Sequence, residues 1–146
     1  MVNEQPDVPI ASKEDGMSPR SEHDAKTWVD KAIAFYSRSG KRISLAEFSN
    51  PRGPFVKEEL YLFVLNPRGT VLAHGVNDAF VGEDFLDLRD ADGRLFIREI
   101  LETANNEGSG WVEYKWYHPV TKKVLPKMVY CEKVDDLIMC SGVYKE

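Results

Sequence analysis

Three strand-like runs fill the chain from Trp111 to Tyr144, and only short turns separate them. Trp111 to Tyr117 alternates in character, Pro119-Val120-Thr121-Lys122 turns the chain, and Leu125 to Glu132 follows. Val134-Asp135-Asp136-Leu137 then turns it again into Ile138 to Tyr144. Parallel neighbours need a crossover of about a dozen residues or more, so strands joined this closely pair antiparallel. Two further runs, Leu60 to Leu65 and Thr70 to His74, flank Asn66-Pro67-Arg68-Gly69, which has the composition of a hairpin turn. Five strands joined mostly by hairpins make one antiparallel sheet, and a sheet with an apolar face needs a cover.

Helices supply it. Ser21 with Asp24 three residues later reads as a capping box. Ala25, Trp28, Val29, Ala32, Ile33 and Tyr36 then recur at helical spacing until Gly40 stops the run. Ser44-Leu45-Ala46-Glu47 predicts the start of a second, shorter helix, ending before Asn50-Pro51 because the residue before proline disfavours the helical region. Asp92-Gly93 precedes a third, Leu95 to Thr103, with Leu95, Phe96, Ile100 and Leu101 inward, broken by Gly108-Ser109-Gly110. Residues 75–90 are irregular. The fold class is therefore α+β, an N-terminal helix packed on a five-stranded antiparallel sheet, in one domain over residues 21–146. Residues 1–20, with Pro6, Pro9 and Pro19 and no periodicity, read as a flexible N-terminal tail.

Several functions are excluded early. A net charge of -5 argues against a nucleic-acid partner, since nothing offsets phosphate repulsion. No apolar run is long enough to span a membrane, and no signal-peptide pattern is visible. Nucleophile-elbow, zinc-protease, Walker and haem-attachment motifs are missing, and His23, His74 and His118 lack metal-ligand spacing. Asp84, Asp87, Asp90 and Asp92 imitate a calcium loop, but Arg89 and Ala91 fall where ligands are needed, so a capping turn before Leu95 explains them better. No cofactor, metal or catalytic group is expected.

The order of elements, together with particular residues, resembles the single Cache domain, the PAS-like extracytoplasmic small-molecule sensor of chemoreceptors and histidine kinases. The matching pieces are Leu60 to Val64, Gly69 to His74, Val81-Gly82, Asp90 to Gly93, Gly110 to Trp116, Pro119 to Thr121, Pro126-Lys127, Tyr130, and Ser141 to Tyr144. One departure is Gly75 after His74, where the family often has proline. The resemblance implies one ligand pocket between sheet and covering loops, small organic acids as ligands, and a periplasmic or otherwise extracytoplasmic setting. It also allows a homodimer through the N-terminal helix. With no flanking span or signalling module in view, the chain reads as an excised sensor or a stand-alone binding protein. An initial Met with no leader pulls the other way, toward the cytoplasm. An enzyme or cofactor carrier on the same fold, and a plain dimerisation module, are the alternatives.

Candidate ligand-binding residues follow from strand alternation and from the resemblance. Val112, Tyr114, Trp116 and His118 share one face, and Trp111, Glu113, Lys115 and Tyr117 the other. Tyr114 and Trp116 suit a pocket wall or, equally in pattern, an ordinary core. Lys127 sits in an apolar strand, where a carboxylate ligand would supply its counter-charge, unless it is an edge lysine that blocks aggregation. Tyr61 and Tyr130 could add hydroxyl donors, although Tyr130 lies an odd number of residues from Lys127 and joins it only if the strand bulges. His74 is a ligand donor or a loop cap, and His118 a rim or turn residue.

Placing Asp135 and Asp136 at the centre of a two-residue hairpin puts Cys131 opposite Cys140 at a non-hydrogen-bonded pair, where Cα atoms come within about 4.5 Å. A disulfide between them is the expectation, with two small buried thiols as the alternative.

Overall fold

The computed structural model describes residues 21–145, so the reading of residues 1–20 as a tail lies outside the described residues. The order is α1 (Glu22–Ser39), α2 (Lys41–Phe48), β1 (Val56–Lys57), β2 (Leu60–Leu65), β3 (Val71–His74), a short 3-10 turn (Asp78–Phe80), α3 (Phe96–Glu107), β4 (Ser109–Tyr117), β5 (Val124–Val134) and β6 (Leu137–Tyr144). The sheet has six antiparallel strands in the order β1-β2-β6-β5-β4, with β3 also paired to β2. The additional strand, β1, is two residues long, too short to carry a periodic signal. No helix among the described residues is long and apolar enough to cross a membrane.

α1 starts where the capping pattern placed it. The Asp24 carboxylate accepts from the Ser21 backbone N–H at 2.7 Å, satisfying a donor the helix itself cannot. Ala25, Val29 and Ala32 are fully buried against β2, β5 and β6. α2 differs from expectation. It begins at Lys41, because Gly40 at φ 82° ends α1 and lets the next helix start at once. Ser44 is thus not a cap. It lies one turn inside α2, fully buried, and its hydroxyl has no hydrogen-bond partner among the described residues. The Asp-x-Asp-Gly turn is not a helix cap either. Asp90 accepts from the backbone N–H groups of Asp92, Arg94 and Lys115, which ties the covering loop to β4. Those three donors outweigh the burial that opposes ionisation and hold its pKa below the usual carboxylate value.

The β5–β6 hairpin turns on Asp135-Asp136 and sets the anticipated register, including Cys131 opposite Cys140. Both thiols are free and buried, so the expected disulfide is not formed. Burial pushes Cys131 up to about 11 and Cys140 well above its ordinary value, and a scarce thiolate works against oxidation.

Alternation gives the sheet two apolar faces. One carries Leu62, Val64, Tyr130, Met139 and Val143 beneath α1; the other carries Phe63, Val112, Tyr114, Val129 and Ile138 beneath α3 and the 75–95 loop. The Ser44 hydroxyl, buried without a partner, costs stability that alanine would not. Ser44→Ala should therefore raise unfolding stability by about 1 kcal/mol in a urea titration, and a loss would show that the hydroxyl is bonded after all.

Candidate functional site

On the face opposite α1, Lys127 of β5 is 1% exposed. Its side chain does not stand up from the sheet but crosses the neighbouring strand. At Gly142 of β6 a Cβ atom would lie 3.0 Å from Lys127 Cε and 2.7 Å from both the Met128 carbonyl and Val129 Cγ2. The missing side chain leaves a trench, and the lysine stem occupies it. Nζ thereby reaches β2, where it donates to the Tyr61 hydroxyl at 2.9 Å. The rings of Tyr61, Tyr144 and Phe63 stand 4.2, 5.1 and 5.4 Å from Nζ.

Among the described residues no carboxylate forms an ion pair with Lys127. Desolvating an ammonium costs several kcal/mol, whereas a desolvated cation–π contact returns about 2 kcal/mol. The rings and one hydroxyl offset part of that cost, and a bound anion would offset the rest.

His74, at the end of β3, faces the same space and is 4% exposed. Its Nδ1 accepts from the backbone N–H groups of Asn77 and Val76 at 3.0 and 3.3 Å. The ring proton therefore sits on Nε2, where it is a donor. Burial, and then the Lys127 ammonium, push the His74 pKa down to about 3, so the imidazole is neutral at ordinary pH. His74 caps the 75–77 turn and also lines the cavities beside Lys127.

Two adjoining cavities share Tyr61, His74 and Trp116 as walls. The inner one, about 10 Å³, ends at Lys127 with Tyr114 and Phe96 on its sides, room for roughly one water. The outer vestibule, about 150 Å³, is bounded by Phe80 and Asn77 on one side and by Tyr117, Pro119 and Lys122 on the other. Among the described residues, no acidic side chain lines either of them. Tyr114 stacks on Phe96 with centroids 4.3 Å apart, and Trp116 packs against Phe96 and Phe80. The two are at once core aromatics and cavity wall.

Tyr61, His74, Tyr114, Trp116 and Lys127 thus converge, and Tyr130 does not. β5 pairs with both neighbours without a bulge beside Lys127, so Tyr130 points to the other face. There its hydroxyl donates to Glu132, its ring packs on Trp111, and Lys26 of α1 lies over it. His118 is a buried turn residue, its Nδ1 accepting from Val120 and Thr121 N–H. Sequence reasoning missed Gly142, Phe63, Tyr144 and Lys122. Tyr144 was within reach, because the same hairpin count that pairs the cysteines puts it opposite Lys127.

A family model described as Single Cache domain 2 matches residues 20–146. The sensor histidine kinase MctS of Rhizobium johnstonii is 33% identical over 86 residues, which cover 58% of this chain and 18% of that protein. The chain thus spans under a fifth of that curated relative. A methyl-accepting chemotaxis protein from Vibrio parahaemolyticus has the same fold, with TM-score 0.74 and 18% identity over 84% of this chain and 87% of that one. So does a Cache chemosensory domain described as recognising carboxylic acids, with TM-score 0.66 and 20% identity over 85% and 88%. A periplasmic sensor domain of a chemotaxis protein superposes with TM-score 0.66 at 23% identity over 85% and 90%.

His74 makes stability depend on pH. Between its ordinary pKa of 6.5 and the folded value of about 3, the unfolded chain binds a proton that the folded chain refuses, so stability falls as pH drops through that window. At pH 5 the loss relative to pH 7 is about 2 kcal/mol. His74→Asn keeps an acceptor near Nδ1 but does not titrate, so denaturant melts at the two pH values should show the wild-type slope flattened by about that amount. An unchanged slope would assign it to other groups.

Gly142→Ala should cost about 1–3 kcal/mol through the clash with the Met128 carbonyl and Val129, and should lift Lys127 from Tyr61. A thermal melt, with the Tyr61 ring signals followed by NMR, checks both parts. A silent variant would mean that the trench is not needed.

Proposed function

The chain belongs to the single Cache domain 2 family, and from that premise we propose that it is a non-catalytic sensor domain for a small carboxylate anion held on Lys127. The observation that carries this is a fully buried ammonium, with no ion-pair partner among the described residues, beside cavities with no acidic wall. A carboxylate supplies the missing counter-charge through a charge-assisted hydrogen bond to Nζ. The Tyr61 hydroxyl and the neutral His74 Nε2–H lie on the same cavity and suit its second oxygen, while Tyr114, Phe96 and Trp116 face its carbon skeleton. His74 favours this role because a neutral donor adds a hydrogen bond without placing a second buried charge beside Lys127.

The inner cavity holds about one water, so a ligand larger than that enters as the 75–95 segment moves outward from its packing of Phe80 and Phe85. Sensing then consists of the ligand's preference for one arrangement of that segment over the other, which is the upper limit on the energy available for a signal. The kinase or chemoreceptor output of relatives, and the extracytoplasmic setting of the family, are consistent with this reading.

Sodium acetate, lactate and pyruvate, tested singly by thermal shift, provide the check. One that binds should raise the melting temperature, with stabilisation approaching roughly 2.7 kcal/mol at 100 times its dissociation constant. Lys127→Met should abolish the shift while leaving the unliganded melting temperature unchanged or higher, because an unpaired buried charge has been removed. Equal binding by wild type and variant, or no stabilisation of the wild type by any of the three acids, would overturn the proposal.

A further inference from the structure

We propose that Tyr144 is a positioning residue that couples the state of Lys127 to the 118–123 turn at the mouth of the vestibule. The inference takes Lys127 as the ligand anchor, as above, and its test needs no ligand.

Tyr144 is the last residue of β6 and stands directly opposite Lys127 of β5, so both side chains project to the pocket face. Its ring centre is 5.1 Å from Lys127 Nζ. The same ring packs against His118, with centroids 4.6 Å apart. Its hydroxyl donates to the Tyr117 carbonyl at 2.8 Å, at the end of β4. Burial, and then the Tyr61 hydroxyl, raise its pKa, which keeps it a donor.

The segment reached in this way walls the vestibule through Tyr117, Pro119 and Lys122. Among the described residues β4 is the edge of the sheet, and no strand beyond it steadies its end. The turn is organised instead around His118. The His118 Nδ1 accepts from Val120 and Thr121 N–H at 3.1 Å, its carbonyl accepts from Lys122 N–H at 2.9 Å, and its own N–H donates to the Lys123 carbonyl at 2.8 Å. Lys122 is held at φ 65°, a left-handed conformation that a non-glycine residue keeps only when its surroundings impose it.

Tyr144 therefore contacts the buried cation on one side and the start of the mouth turn, at Tyr117 and His118, on the other. An anion on Nζ changes the charge that the Tyr144 ring faces. The hydroxyl, bonded to the Tyr117 carbonyl, passes the resulting shift to the turn. The strand-end tyrosine is a mechanical link from the anchor to the entrance, distinct from the groups that would touch the ligand.

Native-state amide exchange at Val120, Thr121 and Lys122 tests the link in wild type, Lys127→Met, Tyr144→Phe and the double variant. Tyr144→Phe keeps the ring over the cation and removes the hydroxyl, with its bond to the Tyr117 carbonyl and its contact with Tyr61. Each single variant should speed exchange of these amides by roughly five-fold, about the effect of one net hydrogen bond. In the Y144F background Lys127→Met should add no further change. Multiplicative effects in the double variant, or unchanged turn exchange in K127M, would overturn the link. Lys127→Gln replaces K127M in the cycle if that variant does not fold. Failure of the carboxylate reading shows separately, as absence of any thermal shift in the wild type, and leaves this cycle interpretable.

Discussion

A lysine ammonium withdrawn from water is the constraint around which this side of the sheet is arranged. Its charge carries a desolvation cost that apolar walls cannot meet, so the surrounding positions take aromatic faces and a hydroxyl: Tyr61, Phe63 and Tyr144. Its length carries a second demand, since the stem needs a path across a neighbouring strand. Gly142 provides that path by having no side chain where the stem passes. Replacing lysine by a shorter or uncharged residue would leave three aromatic rings and a glycine with no common purpose.

The sheet separates this chemistry from the structural core by one residue of register. Lys127 and Val129 face the cavity side, while Met128 and Tyr130 face α1. β5 and β6 lie under both, so any displacement of Lys127 or Tyr144 occurs in strands that also support α1. The same alternation explains why Tyr130, only three residues from Lys127, has no part in the site.

The covering segment is held differently from the sheet. Asp90 fixes its far end to β4 through the Lys115 N–H, and His74 organises its near end through the turn at residues 76 and 77. Between them Phe80 and Phe85 pack edge to face over the cavity. The outer cavity lies between this segment and the 118–123 turn. Each flank is therefore organised by a histidine whose Nδ1 accepts two backbone N–H groups.

Local chemistry in the sequence determined much of this protein. Ser21 and Asp24 announced α1, the helical spacing from Ala25 to Tyr36 selected its buried face, and Asp135-Asp136 set the hairpin that aligns Cys131 with Cys140 and Lys127 with Tyr144. Those signals are legible because a cap, a helical period and a tight turn depend on residues within a few positions of one another. The resemblance to Cache domains added the expectation that Tyr61, His74, Tyr114, Trp116, Lys127 and Tyr130 share one pocket, and all but Tyr130 line the two cavities. Tertiary structure alone decided the rest. Ser44-Leu45-Ala46-Glu47 has the form of a helix start, yet Gly40 at positive φ had already begun α2, and packing overrode the motif. Register alone did not decide the disulfide, since Cys131 and Cys140 stand opposite one another and are both free. Whether Lys127 stands up or lies flat depends on what a strand fifteen residues downstream leaves empty at Gly142, and whether it finds Tyr61 depends on β2, 66 residues away. Space and partners at that separation are set only when the strands are laid side by side.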